Sequence, residues 1–119
     1  MNEMIFVFGS NRAGIHGAGA AKWALENCGA VWGKGEGLQY SCYAIPTKDV
    51  NIQTLPLTEI AKHFETFINF AKDRPHLLFD LTPIGCGLAG YNKTDMLHEV
   101  VLRQKIPDNV YFNRRWMQE

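Results

Sequence analysis

Twice in this chain a short apolar run, a glycine-rich loop and a helix-like segment follow one another, and that repeated order restricts the architectures open to it. The first loop is Gly9-Ser10-Asn11-Arg12-Ala13-Gly14-Ile15-His16-Gly17-Ala18-Gly19-Ala20, behind the run Met4-Ile5-Phe6-Val7-Phe8. The second is Pro83-Ile84-Gly85-Cys86-Gly87-Leu88-Ala89-Gly90-Tyr91, behind Leu77-Leu78-Phe79-Asp80-Leu81. A strand that ends in glycines before a helix exposes backbone N–H groups at the carboxyl edge of a sheet, where phosphates bind. Two such units predict one ligand held from two sides.

The remaining elements fit that frame. The run at 4–8 has no polar alternation, as expected of a strand buried on both faces. Ala20, Ala21, Ala24, Leu25 and Cys28 recur at helical spacing, and Gly29 stands where a helix C-cap belongs. Residues 33–37, Gly-Lys-Gly-Glu-Gly, are expected to be a flexible loop. Ser41-Cys42-Tyr43-Ala44-Ile45 is expected to be a strand ended by Pro46. Leu57, Ile60, Ala61, Phe64, Phe67, Ile68 and Ala71 form an apolar stripe, placing a helix between Pro56 and Pro75. Met96, Leu97, Val100 and Val101 predict another helix, with capping residues at 92–95, and Val110-Tyr111-Phe112 a closing strand. Arg114-Arg115 is expected in a solvated tail. Alternating strands and helices imply an α/β fold, a three-layer α/β/α sandwich with a mostly parallel mixed sheet. The first and third strands, 4–8 and 77–81, should be neighbours so that both loops open on one edge.

At 119 residues the chain is expected to form a single domain over 1–119, and 46% hydrophobic residues provide for a real core. Twelve basic and twelve acidic residues balance, which argues against dedicated nucleic-acid binding. Cys28, Cys42 and Cys86 have neither disulfide-framework nor zinc spacing, and the four histidines are scattered, so no metal is expected. No stretch approaches membrane-spanning length and no leader is visible, so a soluble cytoplasmic protein without membrane contact is expected.

In the loops, functional and structural readings stand side by side. Residues 17–21 lack side chains that would keep a ligand from the backbone, and they equally allow a helix to pack closely on a sheet. Asn11 can bond a sugar hydroxyl or form a turn. His16 can donate to a phosphate, act as an acid–base group, or be structural. Cys86 has no helper at a telling spacing and is read as a packing residue. The familiar nucleotide loops do not fit: Gly29 to Lys34 is one residue short of GxxxxGK[ST], and Gly17-x-Gly19 runs on to Lys22 instead of a third glycine.

The paired loops resemble the macrodomain, an α/β module that binds ADP-ribose and its derivatives. Val7-Phe8-Gly9-Ser10-Asn11 is similar to the motif VNAAN. The stretch 14–21 is similar to the first phosphate loop of the branch reading MGAGIA or MGKGIA. Pro83-Ile84-Gly85-Cys86-Gly87-Leu88-Ala89-Gly90 matches PxLGCGLGG of the same branch, the ADP-ribose glycohydrolases, and Tyr43-Ala44-Ile45-Pro46-Thr47-Lys48 falls where it has IYNLPTK. The resemblance covers about residues 4–102. It implies a diphosphate held by backbone amides at 17–20 and 85–89, with Asn11 on the distal ribose and Tyr91 stacked on or covering it. Gly9, Ser10, Gly14, Ile84 and Gly90 would complete the binding loops. It begins at the strand after the GDI-type turn whose Asp recognises adenine in that family, so the adenine contact is missing or supplied differently. The branch's lysine position falls on Leu25 and its acidic position on Ala89, against a covalent lysine mechanism. Binding of ADP-ribose or a related NAD-derived nucleotide, with no further cofactor, is therefore expected. The alternatives are a hydrolase acting on an ADP-ribosylated macromolecule or on ADP-ribose-1''-phosphate, with Asn11 and His16 nearest the labile bond, and a phosphate-loop protein for an unrelated nucleotide.

Overall fold

The computed structural model describes residues 4–118. Five strands form one sheet: β1 (Ile5–Asn11), β2 (Gly37–Gln39), β3 (Cys42–Lys48), β4 (Phe79–Leu81) and β5 (Val110–Phe112), in the order β2-β3-β1-β4-β5. All neighbours are parallel except β2, which runs antiparallel to β3. Three α-helices, α1 (Gly19–Asn27), α2 (Leu57–Lys72) and α3 (Lys93–Glu99), connect them.

Side chains alternate across a strand, so the uninterrupted apolar run of β1 supplies two cores. Val7 joins the larger one, with Ile60, Phe64, Phe67 and Ile68 of α2 and Met96 of α3. Phe8 joins a smaller one with Ala21 and Ala24 of α1 and Cys42 and Ala44 of β3. Helices therefore cover opposite faces, and the sandwich has three layers. Tyr43, Phe70 and Phe79 surround Phe67 or its neighbours at ring separations of 5.0–6.1 Å, so truncating Phe67 to alanine removes about 3–5 kcal/mol of stability.

Helix ends follow local chemistry. The α1 helix starts at Gly19, where Ala18 before it is extended and Gly19 itself has φ +60°. It ends as predicted: Gly29 has φ +78°, and the Ala30 N–H returns to the Ala24 carbonyl at 3.2 Å. The Asn92 side chain caps α3 by accepting from the Asp95 N–H at 2.8 Å.

Several sequence expectations change. β1 continues through Gly9, Ser10 and Asn11, which the sequence places in the loop, β4 begins only at Phe79, and α3 ends at Glu99, with Val101 in a 3₁₀ turn that follows it. β3 runs through Pro46 to Lys48, since Pro46 faces Ser10 where the β1–β3 register shifts, so the missing N–H falls at an irregularity. The loop at 33–37 is pinned instead of flexible: Ser10 Oγ donates to the Gly35 carbonyl, and His16 and Gln39 both donate to the Lys34 carbonyl. Arg114 and Arg115 are exposed, but they lie in a 3₁₀ turn whose Trp116 is buried and donates Nε1–H to the Leu81 carbonyl at 2.8 Å.

β1 and β4 are adjacent, as their loops required. The chain leaves β1 toward α1 on one face and leaves β4 toward α3 on the other. Departures to opposite faces open a crevice at the carboxyl ends of the two strands, the place where open α/β sheets bind ligands.

Candidate functional site

The first loop is shaped by Asn11. Its Oδ1 accepts from the Ile15 N–H at 2.9 Å and its Nδ2 donates to the Ile15 carbonyl at 2.8 Å. The turn-forming reading of Asn11 is thus realised, and one Nδ2 hydrogen is left over. Gly14 sits at the turn with φ +70°, where a Cβ would lie 2.3 Å from the Gly33 carbonyl carbon and the Lys34 nitrogen. The loop then releases residues 17–20 toward α1, whose N-terminus has no side-chain cap and no acidic residue in its first turn.

The second loop is held by its own backbone. Cys86 N–H bonds Pro83 O, Gly90 N–H bonds Gly87 O, and Tyr91 N–H bonds Gly85 O. A third segment, between β3 and α2, fastens it from outside: Thr54 Oγ1 donates to the Ala89 carbonyl at 2.9 Å, and Tyr91 Oη donates to the Leu55 carbonyl at 2.7 Å. In this third segment Asp49 Oδ1 accepts from Asn51 N–H and Gln53 N–H. Ile52 at its tip has φ +62°, a conformation that costs a β-branched residue about 1–2 kcal/mol.

The loops close on each other around a cleft of about 570 Å³. A Cβ on Gly9 would stand 3.3 Å from the Gly85 nitrogen, and one on Gly19 would stand 3.3 Å from Leu88 Cδ1. Backbone N–H groups on both walls, at residues 17–20 and at Gly85, Gly87, Leu88 and Ala89, have no acceptor among the described residues. Such groups are the usual means of holding a phosphate. The floor is different. Ser10, Thr47 and Thr82 line the cleft, yet each hydroxyl gives its hydrogen to a backbone carbonyl, of Gly35, Ser10 and Val7 respectively. Those oxygens can only accept, so they repel an anion and suit sugar hydroxyls. Donors and acceptors thereby occupy different parts of the cleft.

Among the described residues, Lys48 is the only charged one of the lining. Its ammonium makes no ion pair or hydrogen bond among the described residues. Among the described residues, no carboxylate, histidine or thiol belongs to the lining. The charged network nearby lies outside it: Arg12 pairs with Glu59 at 3.3 Å and donates to His63 Nε2 at 3.1 Å, while His63 Nδ1 donates to Glu36 at 2.8 Å. It ties the base of the first loop to α2 and to the 33–37 segment.

Most of the residues singled out in the sequence meet here: Gly9, Ser10, Asn11 and residues 17–20 from the first loop, and Ile84, Gly85 and residues 87–89 from the second. Gly14, His16, Cys86, Gly90 and Tyr91 do not line the cleft. His16 is fully buried, edge-on to the Phe8 ring at 5.6 Å, with Nε2–H donating to the Lys34 carbonyl at 3.1 Å. Its place is beneath the loop, not beside a labile bond. Its partner is a backbone carbonyl eighteen residues away, which no side-chain pattern announces. Cys86 packs against the larger core, and burial pushes its thiol above the ordinary range, consistent with a packing residue. Tyr91 directs its hydroxyl to Leu55 and packs on the same core. Sequence reasoning missed Lys48, Thr47, Thr82, Ile15 and Ile52. Lys48 was legible in principle, because a β3 continued past Pro46 ends on the same edge as the two loops.

No family model, curated protein or solved structure matches this chain.

Proposed function

We propose that the protein is a macrodomain-like module that binds ADP-ribose or a related NAD-derived nucleotide in the cleft between its two glycine loops. The observation that carries this reading is the set of N–H groups on both walls of one cleft that have no acceptor among the described residues, with Lys48 the charged residue beside them. Diphosphate oxygens would take the N–H groups, ribose hydroxyls would donate to Thr47 and Thr82, and the spare Nδ2 hydrogen of Asn11 would reach a ribose oxygen. The choice of ADP-ribose among nucleotide diphosphates rests on the three motifs that resemble the macrodomain in order. A cytoplasmic setting, where such nucleotides occur, belongs to the same reading.

Binding is favoured over hydrolysis. General-base activation of water needs a carboxylate or imidazole within hydrogen-bond reach of it; among the described residues the lining contains neither, and His16 is held under the loop. Isothermal titration of the folded protein with ADP-ribose tests the proposal, with AMP and inorganic pyrophosphate in parallel. Affinity for ADP-ribose in the micromolar range is expected. No heat at millimolar ligand refutes it.

A further inference from the structure

Three large aliphatic side chains stand uncovered around the cleft: Ile15 from the first loop at 42% exposure, Ile52 from the third segment at 38% and Leu88 from the second loop at 67%. Scattered exposed aliphatics need no explanation; three from separate loops lining one cleft do. None of them belongs to either core.

Ile52 is the most telling. Its φ of +62° is one that glycine or asparagine adopts freely and isoleucine does not. The turn itself is made by Asp49, which accepts from Asn51 and Gln53 through its side chain and from the Ile52 N–H through its carbonyl. Nothing in that turn requires an aliphatic side chain. What isoleucine adds there is an apolar surface on the lining of the cleft, and an observed backbone outlier at a binding cleft points to function.

The size of the cleft agrees. About 570 Å³ lies within the range that holds cofactor-sized ligands and far exceeds what a phosphate fills. The cleft therefore has room, beside an anion, for a neutral part with apolar faces. We infer that Ile15, Ile52 and Leu88 grip the nucleobase of the bound nucleotide, and that Ile52 determines selectivity for ligands that carry a base. This rests on the proposed binding of a nucleotide through the loop N–H groups. Aliphatic contacts to the flat faces of a ring do not read its edge, so adenine and other purines are accepted with similar affinity.

The experiment compares Ile52→Gly with the unaltered protein by isothermal titration, using ADP-ribose, GDP-ribose and inorganic pyrophosphate, with a thermal melt of each protein. Glycine removes the side chain and relieves the left-handed strain, so the melting temperature holds or rises. Affinity for both base-carrying ligands is expected to fall about tenfold, and that for pyrophosphate to stay unchanged. Leu88→Ala is expected to show the same pattern. If the unaltered protein binds pyrophosphate as tightly as ADP-ribose, or if Ile52→Gly leaves ADP-ribose affinity intact, the base grip is refuted while anion binding stands. Equal losses for ADP-ribose and pyrophosphate make Ile52 a loop-shaping residue and also overturn the inference. Binding of neither ligand to the unaltered protein refutes the nucleotide reading together with this one.

Discussion

Replacing Gly87 with valine puts the backbone cradle to the test without touching the fold. Gly87 lies outside the left-handed region, and a Cβ built on it meets no atom within 4 Å. Gly87 lines the cleft and its added Cβ enters open space, so stability should change by no more than about 0.5 kcal/mol. A diphosphate on the neighbouring N–H groups would be pushed away from them. A hydrogen bond to a charged group contributes about 1.5–3 kcal/mol, so losing one weakens binding roughly 10- to 150-fold. Gly14→Val is the contrasting variant. Its Cβ would fall 2.3 Å from the Gly33 and Lys34 backbone at φ +70°, and the loop cannot form without moving both segments, so this variant should lose several degrees of melting temperature. Titration with ADP-ribose and a thermal melt on each protein separate the two effects. A Gly87→Val protein that melts like the unaltered one and binds ADP-ribose with the same affinity refutes the reasoning.

Other outcomes follow from the same geometry. Lys48→Gln removes the positive charge of the lining; because Lys48 is partly solvated, affinity should fall by about 1 kcal/mol, with a weaker dependence on salt in the titration. His16→Ala empties a fully buried site and should cost about 2–3 kcal/mol in denaturant unfolding. Burial pushes the Cys42 thiol and the Tyr43 hydroxyl up to about 12. In the unfolded chain these groups ionise from about 8.5 and about 10, so the unfolded state loses protons first and stability declines as pH rises from about 9 toward 12. Thermal melts across that range should show the decline, and Cys42→Ala should lessen it.

How much was legible in the sequence depended on the range of the interaction. The stripe from Leu57 to Ala71 repeats with helical period, and α2 spans Leu57–Lys72. Gly29 and Asn92 end and begin helices through conformations that their own chemistry favours. The two loops converge because β1 and β4 are neighbours, a pairing expected from two loops that hold one ligand on one edge. These are local patterns, or consequences of one topological requirement.

The tertiary structure decided which loop residues face the cleft. His16 and Asn11 look equally available in the sequence, but His16 is drawn beneath the loop by the Lys34 carbonyl and Asn11 is largely occupied by Ile15. Lys48 joins the site because β3 passes beyond Pro46 beside Asn11, and Trp116 is buried because the Leu81 carbonyl is there to receive it. In each case the deciding partner is a backbone group distant in sequence. Every residue carries the same backbone atoms, so a sequence bears no mark of which carbonyl or N–H will be left for a side chain. The amino-acid order alone determined that there would be a sheet with two glycine loops on one edge. Which side chains those loops hide, and which they leave for a ligand, was determined only when distant backbone groups came together.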